Sequence, residues 1–578
     1  MKKTIALGLL LFLGTAGTTT AQFTVLISSD PGALPGNADS RLADCSFDGR
    51  WVAFESSATN LDPGATSGLP QIFVKDLWTW DVELVSVSTL GVTANSLCSN
   101  PRISPDGRFV VFESHATNLV SGDTNGAGDV FLRDRVTGTT TRESLGPGGA
   151  QLALGGVQPD LSADARFVLF YTNSTDVVPG NTSGQPQHYL RDRASNLSLS
   201  TAVSTGGTLA NNASDWVADL SADGHYVVFA SFASNLVPAD TNGTEDVFLR
   251  DVWAGTTSRI SVAAAGGNAN GTSRLPRISA DGTTVVYETG ATNIVVPDTN
   301  SRTDVIVHQL DTGFVERVSV NTLGAEGNGD SENPSVSFDG RYVAYRSFAG
   351  NLVAGDANGT WDVFVRDRIS NSTELASWTT AGGQAGGGGV YLADISPNGR
   401  FVSMWTTEAL DPSHPASTWQ VYVRERGLVC ISAITYCTGK TNSLGCVPWM
   451  ATYGCSSATQ DSGFYVFGGN VRNNKQGLLF YGVSGQSATP FQGGTMCVAA
   501  PKKRTPIRDS GGNPLPANDC TGLWVIDMNA FAAGQGGGNP LPALLATGTI
   551  VDCQWWGRDP GAPFQTALSN ALEYLVGL

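Results

Sequence analysis

A short apolar segment that follows a polar turn recurs along most of the chain. In one copy, Ser104 to Arg108 reads Ser-Pro-Asp-Gly-Arg, and Phe-Val-Val-Phe-Glu follows it. Apolar runs of this length, rich in β-branched and aromatic residues, are typical of β-strands. A shorter apolar segment, Pro101 to Ser104, precedes the turn. The Asp-Gly pair between the two segments therefore predicts an antiparallel hairpin closed by a tight turn.

The hairpin belongs to a longer repeat with a regular spacing. Its turn residue recurs every 58 or 59 residues, at Asp48, Asp106, Asp164, Asp223, Asp281, Asp339 and Asn398. A third strand is predicted at Asp129 to Arg133 and its counterparts, and a fourth at Thr140 to Ser144. Four antiparallel strands per repeat are typical of a propeller blade. We therefore predict an all-β protein with a seven-bladed β-propeller over residues 22–427, six blades being the alternative.

The two ends of the repeat array predict how the ring closes. The seventh repeat has a third strand at Val421 to Arg424, but no fourth strand follows it. The segment Phe23 to Ser28 lies where a fourth strand would precede the first turn. We expect this N-terminal strand to complete the last blade, because closure removes the exposed edges of an open array. Cys45 and Cys98 fall in neighbouring blades, and the sequence leaves open whether they meet.

Residues 428–578 have a different composition and predict a second domain. Seven of the nine cysteines lie there, at Cys430, Cys437, Cys446, Cys455, Cys497, Cys520 and Cys553. Short apolar segments between Gly, Pro and Asn turns predict a small disulfide-rich β-sandwich-like domain. A zinc site is disfavoured because no Cys-x-x-Cys pair occurs. Trp555 and Trp556 are interpreted as a buried pair, a sugar-stacking role being the alternative.

Composition and the N-terminus indicate the compartment and exclude some partners. Residues 1–21 read as a signal peptide, with Lys2 and Lys3 before an apolar run and small residues before Gln22. The net charge of -17, from 34 basic and 51 acidic residues, argues against nucleic acid and anionic lipid. No later stretch has the ~18 apolar residues needed for membrane insertion. We expect a monomer in the periplasm or outside the cell.

The loop before the third strand carries the candidate metal ligands. Four blades have Asp, Asn and Asp at loop positions one, three and seven: Asp123, Asn125, Asp129; Asp240, Asn242, Asp246; Asp298, Asn300, Asp304; and Asp356, Asn358, Asp362. The other blades lack both carboxylates. Two carboxylates converging on a tight loop repel each other unless a cation or donor compensates, and hard oxygen ligands suit calcium. The alternative is an Asx turn with Asp simply starting the strand.

The repeat resembles that of TolB-type β-propellers over about residues 22 to 427. The shared motif is seen at Ser104 to Arg108 and, as Ser-Ala-Asp-Gly or Ser-Phe-Asp-Gly, at Ser221, Ser279 and Ser46. The resemblance implies the fold but not a single function, since such propellers serve as envelope scaffolds, peptidase lids and occasionally lyases. Many TolB-type rings have six blades and shorter repeats, so partner sites are not carried over.

The sequence favours a secreted, non-catalytic binding or scaffold protein that engages a protein or glycan of the cell envelope or extracellular space. The five histidines, His115, His188, His225, His308 and His414, occupy unrelated positions in their blades, and no nucleophile elbow occurs. The alternative is an extracellular polysaccharide lyase or hydrolase with a site in the channel. Its mark would be an acid, a His and a Tyr converging from different blades. A purely structural surface protein is a third possibility.

Overall fold

A computed structural model describes residues 23–576, except 78, 182–183, 381, 387–388, 412–417, 427–433, 455, 457–463, 513–517, 536 and 547–548. The predicted signal peptide and the predicted domain boundary at 427/428 lie outside the described residues. Within them, seven four-stranded antiparallel sheets follow one another along the chain. The prediction of seven blades rather than six is confirmed.

Each blade has the same order of strands from the axis outward. The first, innermost strands are β2 (Ser40–Cys45), β6 (Cys98–Ile103), β10 (Val157–Leu161), β14 (Ser214–Leu220), β18 (Ser273–Ile278), β22 (Ser331–Val336) and β26 (Tyr391–Ile395). The second strands are β3 (Trp51–Ser56), β7 (Phe109–Ser114), β11 (Phe167–Thr172), β15 (Tyr226–Ser231), β19 (Thr284–Thr289), β23 (Tyr342–Ser347) and β27 (Phe401–Thr406). The third strands are β4 (Gln71–Asp76), β8 (Asp129–Asp134), β12 (Gln187–Asp192), β16 (Asp246–Asp251), β20 (Asp304–Gln309), β24 (Asp362–Asp367) and β28 (Gln420–Glu425). The fourth, outermost strands are β5 (Val82–Leu84), β9 (Thr139–Arg142), β13 (Leu197–Ser200), β17 (Thr256–Arg259), β21 (Val315–Arg317), β25 (Ser372–Leu375) and, in the seventh blade, β1 (Phe23–Leu26).

The N-terminal strand closes the ring as predicted. β1 pairs antiparallel with β28, with Phe23 opposite Glu425 and Leu26 opposite Tyr422. The first strands contact one another around the whole circle, including β26 against β2. The ring is therefore continuous, and its first strands line a central channel.

The hydrophobic core of the propeller lies between adjacent blades. Val74 of the first blade packs with Val110 and Phe112 of the second, and all three side chains are buried. The Asp-Gly turns also depend on the neighbouring blade. Gly107 has a φ of 71°, and a Cβ there would lie 2.2 Å from Trp51 of the preceding blade. Glycine is needed at this turn both for its conformation and for the space.

In five blades an arginine ion pair ties the turn to the third strand of the same blade. Arg108, the residue after the Asp-Gly turn, contacts Asp134 at 2.6 Å. Equivalent pairs occur in other blades, at Arg50–Asp76, Arg166–Asp192, Arg341–Asp367 and Arg400–Glu425. The first four of these pairs, those with an aspartate, are bidentate, and they fix the turn end of their hairpins.

The C-terminal domain is built from short strands in two main sheets. Its elements are β29 (Ile434–Tyr436), β30 (Trp449–Gly454), β31 (Phe464–Val471), β32 (Gln476–Gly482), β33 (Gln486–Phe491), β34 (Gly494–Val498), β35 (Lys503–Arg504), β36 (Arg508–Asp509), β37 (Gly522–Asp527), α1 (Met528–Ala532), β38 (Ile550–Arg558) and β39 (Thr566–Leu575). One sheet has the order β29-β39-β38-β32-β35, and another has the order β30-β31-β37. Trp555 is buried between the sheets, 5.7 Å from the ring of Trp524.

Two disulfides staple this domain, Cys437–Cys497 and Cys446–Cys520. Cys45, Cys98 and Cys553 are free and buried, so the two propeller cysteines form no clasp. Cys430 and Cys455 lie outside the described residues. Among the described residues, no helix is both long enough and apolar enough to cross a membrane.

The C-terminal domain covers the channel end that carries the Asp-Gly turns, which we name the turn mouth. Phe467 of β31 lies 5.3 Å from the ring of Phe47 and 5.0 Å from that of Phe338, both in turns of the propeller. Arg166 and Asp519 form an ion pair of 2.7 Å between the domains. The opposite end, where the first strands begin and the second strands end, is named the far mouth.

Candidate functional site

The four acidic loops predicted as calcium sites are closed by their own hydrogen bonds. Asn125 Nδ2 donates to Asp129 Oδ2 at 3.1 Å, and Ser144 Oγ donates to Asp129 Oδ1 at 2.6 Å. The side-chain oxygen of Asn125 accepts from the backbone N–H of Ala127 at 3.0 Å, so this amide oxygen points to the loop backbone. The same Asn-to-Asp bond recurs in Asn242–Asp246, Asn300–Asp304 and Asn358–Asp362.

In three of these loops an arginine, which the sequence interpretation missed, lies between the two carboxylates. Arg259 Nη1 is 3.3 Å from Asp240 Oδ1 and 3.3 Å from Asp246 Oδ2. The pairs Asp123/Asp129 and Asp298/Asp304 are bridged in the same way by Arg142 and Arg317. In these blades a guanidinium supplies the positive charge that the sequence interpretation assigned to calcium. The arginine stands 19 residues after the first aspartate in each case.

The sixth blade differs, because Leu375 takes the place of the arginine. Leu375 pairs with Phe364 in the register in which Arg142 pairs with Phe131 in the second blade. Burial raises the pKa of Asp362, and the charge of Asp356 raises it further. In the part of the chain that the structure describes, no group of three or more His, Cys, Asp or Glu is arranged to hold a metal ion. Calcium therefore stays a prediction.

Six charged side chains and one serine lie at the same level of the first strands, around the channel, and this set is named the belt. Its seven positions pair with the third residue of each second strand: Asp44, Arg102, Asp160, Asp219, Arg277, Ser335 and Asp394. Several of these oxygens accept a backbone N–H from the next blade. Asp44 Oδ2 accepts from Ile103 at 2.7 Å, and Asp219 Oδ2 accepts from Ile278 at 2.8 Å. The belt therefore links neighbouring blades as well as charging the axis.

The carboxylates of the belt perturb one another. Burial raises the pKa of Asp160 well above its usual value, and the neighbouring Asp219 raises it further. Burial likewise raises the pKa of Asp394, and the charge of Asp44 raises it further. Burial alone would lower the pKa of Arg102, but the surrounding carboxylates more than offset this and raise it. The belt thus places mutually interacting carboxyl and guanidinium groups at one level of the channel, and the blade repeat does not predict them.

One side of the far mouth is a wall of aromatic side chains from the sixth and seventh blades, beside an arginine from the first blade. Tyr391 stacks on Trp405 with ring centroids 4.4 Å apart, and Trp405 meets Trp419 edge to face at 4.9 Å. Two guanidinium groups lie over these rings. Arg41 is 5.3 Å from the Trp419 ring, and Arg346 is 4.7 Å from that of Tyr391. Such contacts hold both the rings and the charges in fixed positions.

Trp361 and Phe348 extend the aromatic wall outward. Arg346 lies 4.8 Å from the Trp361 ring, and Phe348 lies 5.8 Å from that ring. Phe348 is 50% exposed. Large aromatic side chains that remain accessible beside fixed charges are typical of ligand-binding surfaces.

The other side of the far mouth brings together ionisable side chains from the third, fourth and fifth blades. The rings of Tyr171 and His188 are 5.0 Å apart, and the Tyr171 hydroxyl donates to the Ser214 carbonyl at 3.1 Å. Burial raises the pKa of Tyr171 to about 12, and the charges of Asp215 and Glu245 contribute to this. Tyr171 therefore lies within electrostatic reach of both carboxylates.

Glu245 is the most unusual member of this ionisable cluster. Its side chain is buried, and within the described residues its Oε1 has no hydrogen-bond partner. Burial raises the pKa of Glu245 to about 7, and Asp215 adds to this while Arg274 opposes it. Arg274 itself is bound to Glu288 at 2.7 Å. Burial lowers the pKa of His188 to about 4, so this imidazole is neutral.

The other histidines and the tryptophan pair considered in the sequence have structural surroundings. His225 contacts Asp251 at 2.9 Å and stacks on Trp253, and His308 lies on β20. His414 is outside the described residues. The four described histidines occupy different positions in their blades, and no sequence pattern indicated that His188 meets Tyr171. Trp555 is buried as predicted, but Trp556 is only half-buried and donates to Gln492 at 2.7 Å, so the prediction of a buried pair is wrong for Trp556.

Comparisons with known proteins extend no further than the fold. No protein-family model matches the chain, and no curated protein matches it. Similar solved structures include the β-propeller domain of the Trilobed protease from Pyrococcus furiosus (12% identity, TM-score 0.41, covering 68% of this chain and 96% of that chain). They also include a putative TolB from Agrobacterium tumefaciens (13%, 0.31, 71% and 99%) and an oligogalacturonate lyase from Vibrio parahaemolyticus (12%, 0.38, 71% and 92%). Identities and scores this low say nothing about activity, and the propeller assignment rests on the strand pairing described above.

Proposed function

We propose that this protein is a secreted, monomeric, non-catalytic binding protein that holds a glycan at the far mouth of its propeller. The observation that carries the proposal is the aromatic wall of Tyr391, Trp405 and Trp419. Aromatic faces offer apolar surface to the C–H faces of sugar rings, while the Trp N–H and Tyr O–H groups can bond to hydroxyls. The two disulfides support an extracytoplasmic location.

The charges around the far mouth favour a neutral glycan over an acidic one. Carboxyl groups outnumber guanidinium groups there: Glu55, Glu113, Glu245, Glu288 and Glu332 against Arg41, Arg274 and Arg346. The excess of negative charge is complete above pH 7, because burial raises the pKa of Glu55 and of Glu245 to about 7. Four of these ions are already paired with one another, since Arg346 contacts Glu332 at 2.9 Å and Arg274 contacts Glu288. A polyanion would be repelled by the excess of acid, whereas sugar hydroxyls can donate to carboxylates.

A second candidate function is supported by the ionisable cluster across the far mouth. Tyr171, His188 and Glu245 come from two blades, and Arg274 comes from a third. An acid, a His and a Tyr that converge from different blades are the expected mark of a polysaccharide-active enzyme. A carboxyl group with a pKa near 7 is suited to general acid–base catalysis. In this reading Glu245 would be the proton donor, and the aromatic wall would position the chain.

A binding and turnover screen separates the two candidates. The mature protein is titrated with neutral polysaccharides (β-glucan, xylan and mannan) and with pectate, and each mixture is assayed for new reducing ends and for unsaturated products. Binding of a neutral chain without products supports the proposal. Products that disappear in Glu245→Gln establish the enzyme, and binding of pectate alone contradicts the choice of a neutral ligand.

The aromatic wall itself is tested by truncation. Trp405→Ala and Trp419→Ala should each weaken binding by about tenfold or more, because aromatic anchors dominate such interfaces. Phe314→Ala removes an aromatic side chain that is 57% exposed in the turn between β20 and β21, and it serves as the matched control. Equal affinities in all three variants would place the ligand elsewhere.

A further inference from the structure

A cavity of about 830 Å³ lies between the turn mouth and the C-terminal domain. On the propeller side, its lining includes the turn aspartates of five successive blades: Asp106, Asp164, Asp223, Asp281 and Asp339. On the other side, it is lined by Trp449, Tyr465 and Phe467. This volume falls within the range of about 300 to 1,000 Å³ that is usual for small-molecule sites. The cavity belongs to neither of the sites described above.

The turn aspartates use one oxygen for the fold. Asp106 Oδ1 accepts from Ser104 Oγ at 2.6 Å and from the backbone N–H of Arg108 at 3.0 Å. The same two bonds recur on Oδ1 of Asp164, Asp223 and Asp281. No hydrogen bond to Oδ2 of these four carboxylates is found within the described part of the chain. Each therefore keeps one carboxylate oxygen for a ligand.

The charge of the cavity is strongly unbalanced. Among its lining residues, Arg108 is the sole Lys or Arg, and its guanidinium group is bound to Asp134 at 2.6 Å. Within the described residues, no guanidinium or ammonium group lies within ion-pair distance of the carboxylates of Asp106, Asp164, Asp223 and Asp281, which share this partly enclosed space with Asp339. A concave surface lined by one sign of charge between low-dielectric walls concentrates counter-ions.

The opposite wall offers a second means of recognising a cation. Trp449, Tyr465 and Phe467 pack together with Phe338 of the propeller in one apolar cluster. The electron-rich faces of aromatic rings attract organic cations, most strongly where water is excluded. An apolar wall and an acidic wall facing each other exclude simple anions and also favour an organic cation over a hydrated metal ion.

We propose that this cavity binds an organic cation with an apolar or aromatic body, held between the turn aspartates and the aromatic wall of the C-terminal domain. The site needs both domains, so the C-terminal domain acts as half of a binding pocket as well as a cover for the channel. This inference is independent of glycan binding at the far mouth.

The test uses the full mature chain and propidium, a dicationic aromatic dye whose fluorescence rises on binding. Asp223→Asn with Asp281→Asn removes two charges while keeping the turn hydrogen bonds, because Asn398 already fills the same turn position in the seventh blade with both bonds intact. Asp48→Asn is the matched control, since Asp48 makes the same bonds but does not line the cavity.

Propidium should bind the wild-type protein and the Asp48→Asn variant with equal affinity, and the double variant about tenfold or more weakly, a loss of ~1.4 kcal/mol or more. Binding should weaken as salt is added, and Phe467→Leu should weaken it independently of charge. No binding at about 1 mM dye, or equal weakening by Asp48→Asn, overturns the proposal. So does an unchanged affinity in the double variant.

Discussion

The guanidinium group of Arg259 lies 3.3 Å from a carboxylate oxygen of Asp240 and 3.3 Å from one of Asp246. All three side chains are nearly inaccessible to solvent. The arrangement explains why the two aspartates of this loop occur together in the blades that carry the arginine. A carboxylate pair of this kind is stable only with its cation in place, so removing the cation has a measurable cost.

Arg259→Met should lower the free energy of unfolding by about 3 to 5 kcal/mol, because it leaves two buried carboxylates without a counter-charge. Urea unfolding followed by tryptophan fluorescence measures the change. Arg302→Met, at an exposed position in the next blade, is the control. Adding Asp240→Asn to Arg259→Met should restore part of the loss. A variant as stable as the control would show that the carboxylates do not need the arginine.

Calcium should act through the sixth blade, where Leu375 leaves Asp356 and Asp362 without a guanidinium group. We expect calcium to raise the Tm of the wild-type protein and Leu375→Arg to abolish that rise, since the new arginine would occupy the place of the ion. Asp240→Asn, in a blade that has its arginine, should leave the rise unchanged. Differential scanning calorimetry in calcium and in chelator measures these shifts, and a rise that persists in Leu375→Arg would rule out this loop.

Glu245 predicts a pH dependence of stability with a definite sign. Its pKa is raised from 4.5 to about 7 by burial, so the folded state keeps a proton that the unfolded chain releases over that range. The resulting stabilisation is complete below pH 4.5 and is lost as the pH rises through 7. The Glu245→Gln variant has no carboxyl group at this position, so it does not lose this stabilisation as the pH rises. Its free energy of unfolding relative to that of the wild type should therefore increase by up to about 3 kcal/mol between pH 4 and pH 8.

Unfolding titrations across this pH range test the prediction. Asp311→Asn changes an exposed carboxylate and should show no such trend. A stability difference between Glu245→Gln and wild type that stays constant with pH would mean that Glu245 is ionised in the folded protein at pH 5 to 7.

The cysteines should divide into linked and shielded sets. Alkylation without reductant should leave Cys45, Cys98 and Cys553 unmodified in the folded protein and modify them in urea, because all three thiols are buried. Peptide mapping should recover Cys437 linked to Cys497 and Cys446 linked to Cys520. A peptide linking Cys45 to Cys98 would contradict the structure.

The repeat predicted the propeller because the features that form a blade are the same in every repeat. The Asp-Gly turns and the apolar second strands recur at a fixed spacing, and the structure places them in seven equivalent sheets. The unpaired third strand at the end of the array likewise predicted the pairing of β1 with β28. Both predictions rest on local hydrogen bonding and burial, which the sequence encodes directly.

The candidate sites were not predicted because they depend on residues that do not recur in every blade. Asp44, Arg102 and Ser335 occupy one level of the channel, but only the strand register reveals this. Arg259 follows Asp240 by 19 residues, a spacing that three blades share, but only the pairing of β16 with β17 shows that the two side chains meet. The aromatic wall unites Tyr391 with Trp405 and Trp419, which the chain separates by loops. The belt follows from closure of the ring, whereas the Arg259–Asp240 contact and the aromatic wall follow from strand pairing within one blade.

The central claim, that a glycan binds at the far mouth, is tested most directly by hydrogen–deuterium exchange of the mature protein with and without the polysaccharide that binds it best. Binding should slow exchange in peptides that contain Tyr391, Trp405 and Arg41, and should leave β17, on the outer rim, unchanged. Protection confined to the C-terminal domain, or to the outer strands of the blades, would contradict the account.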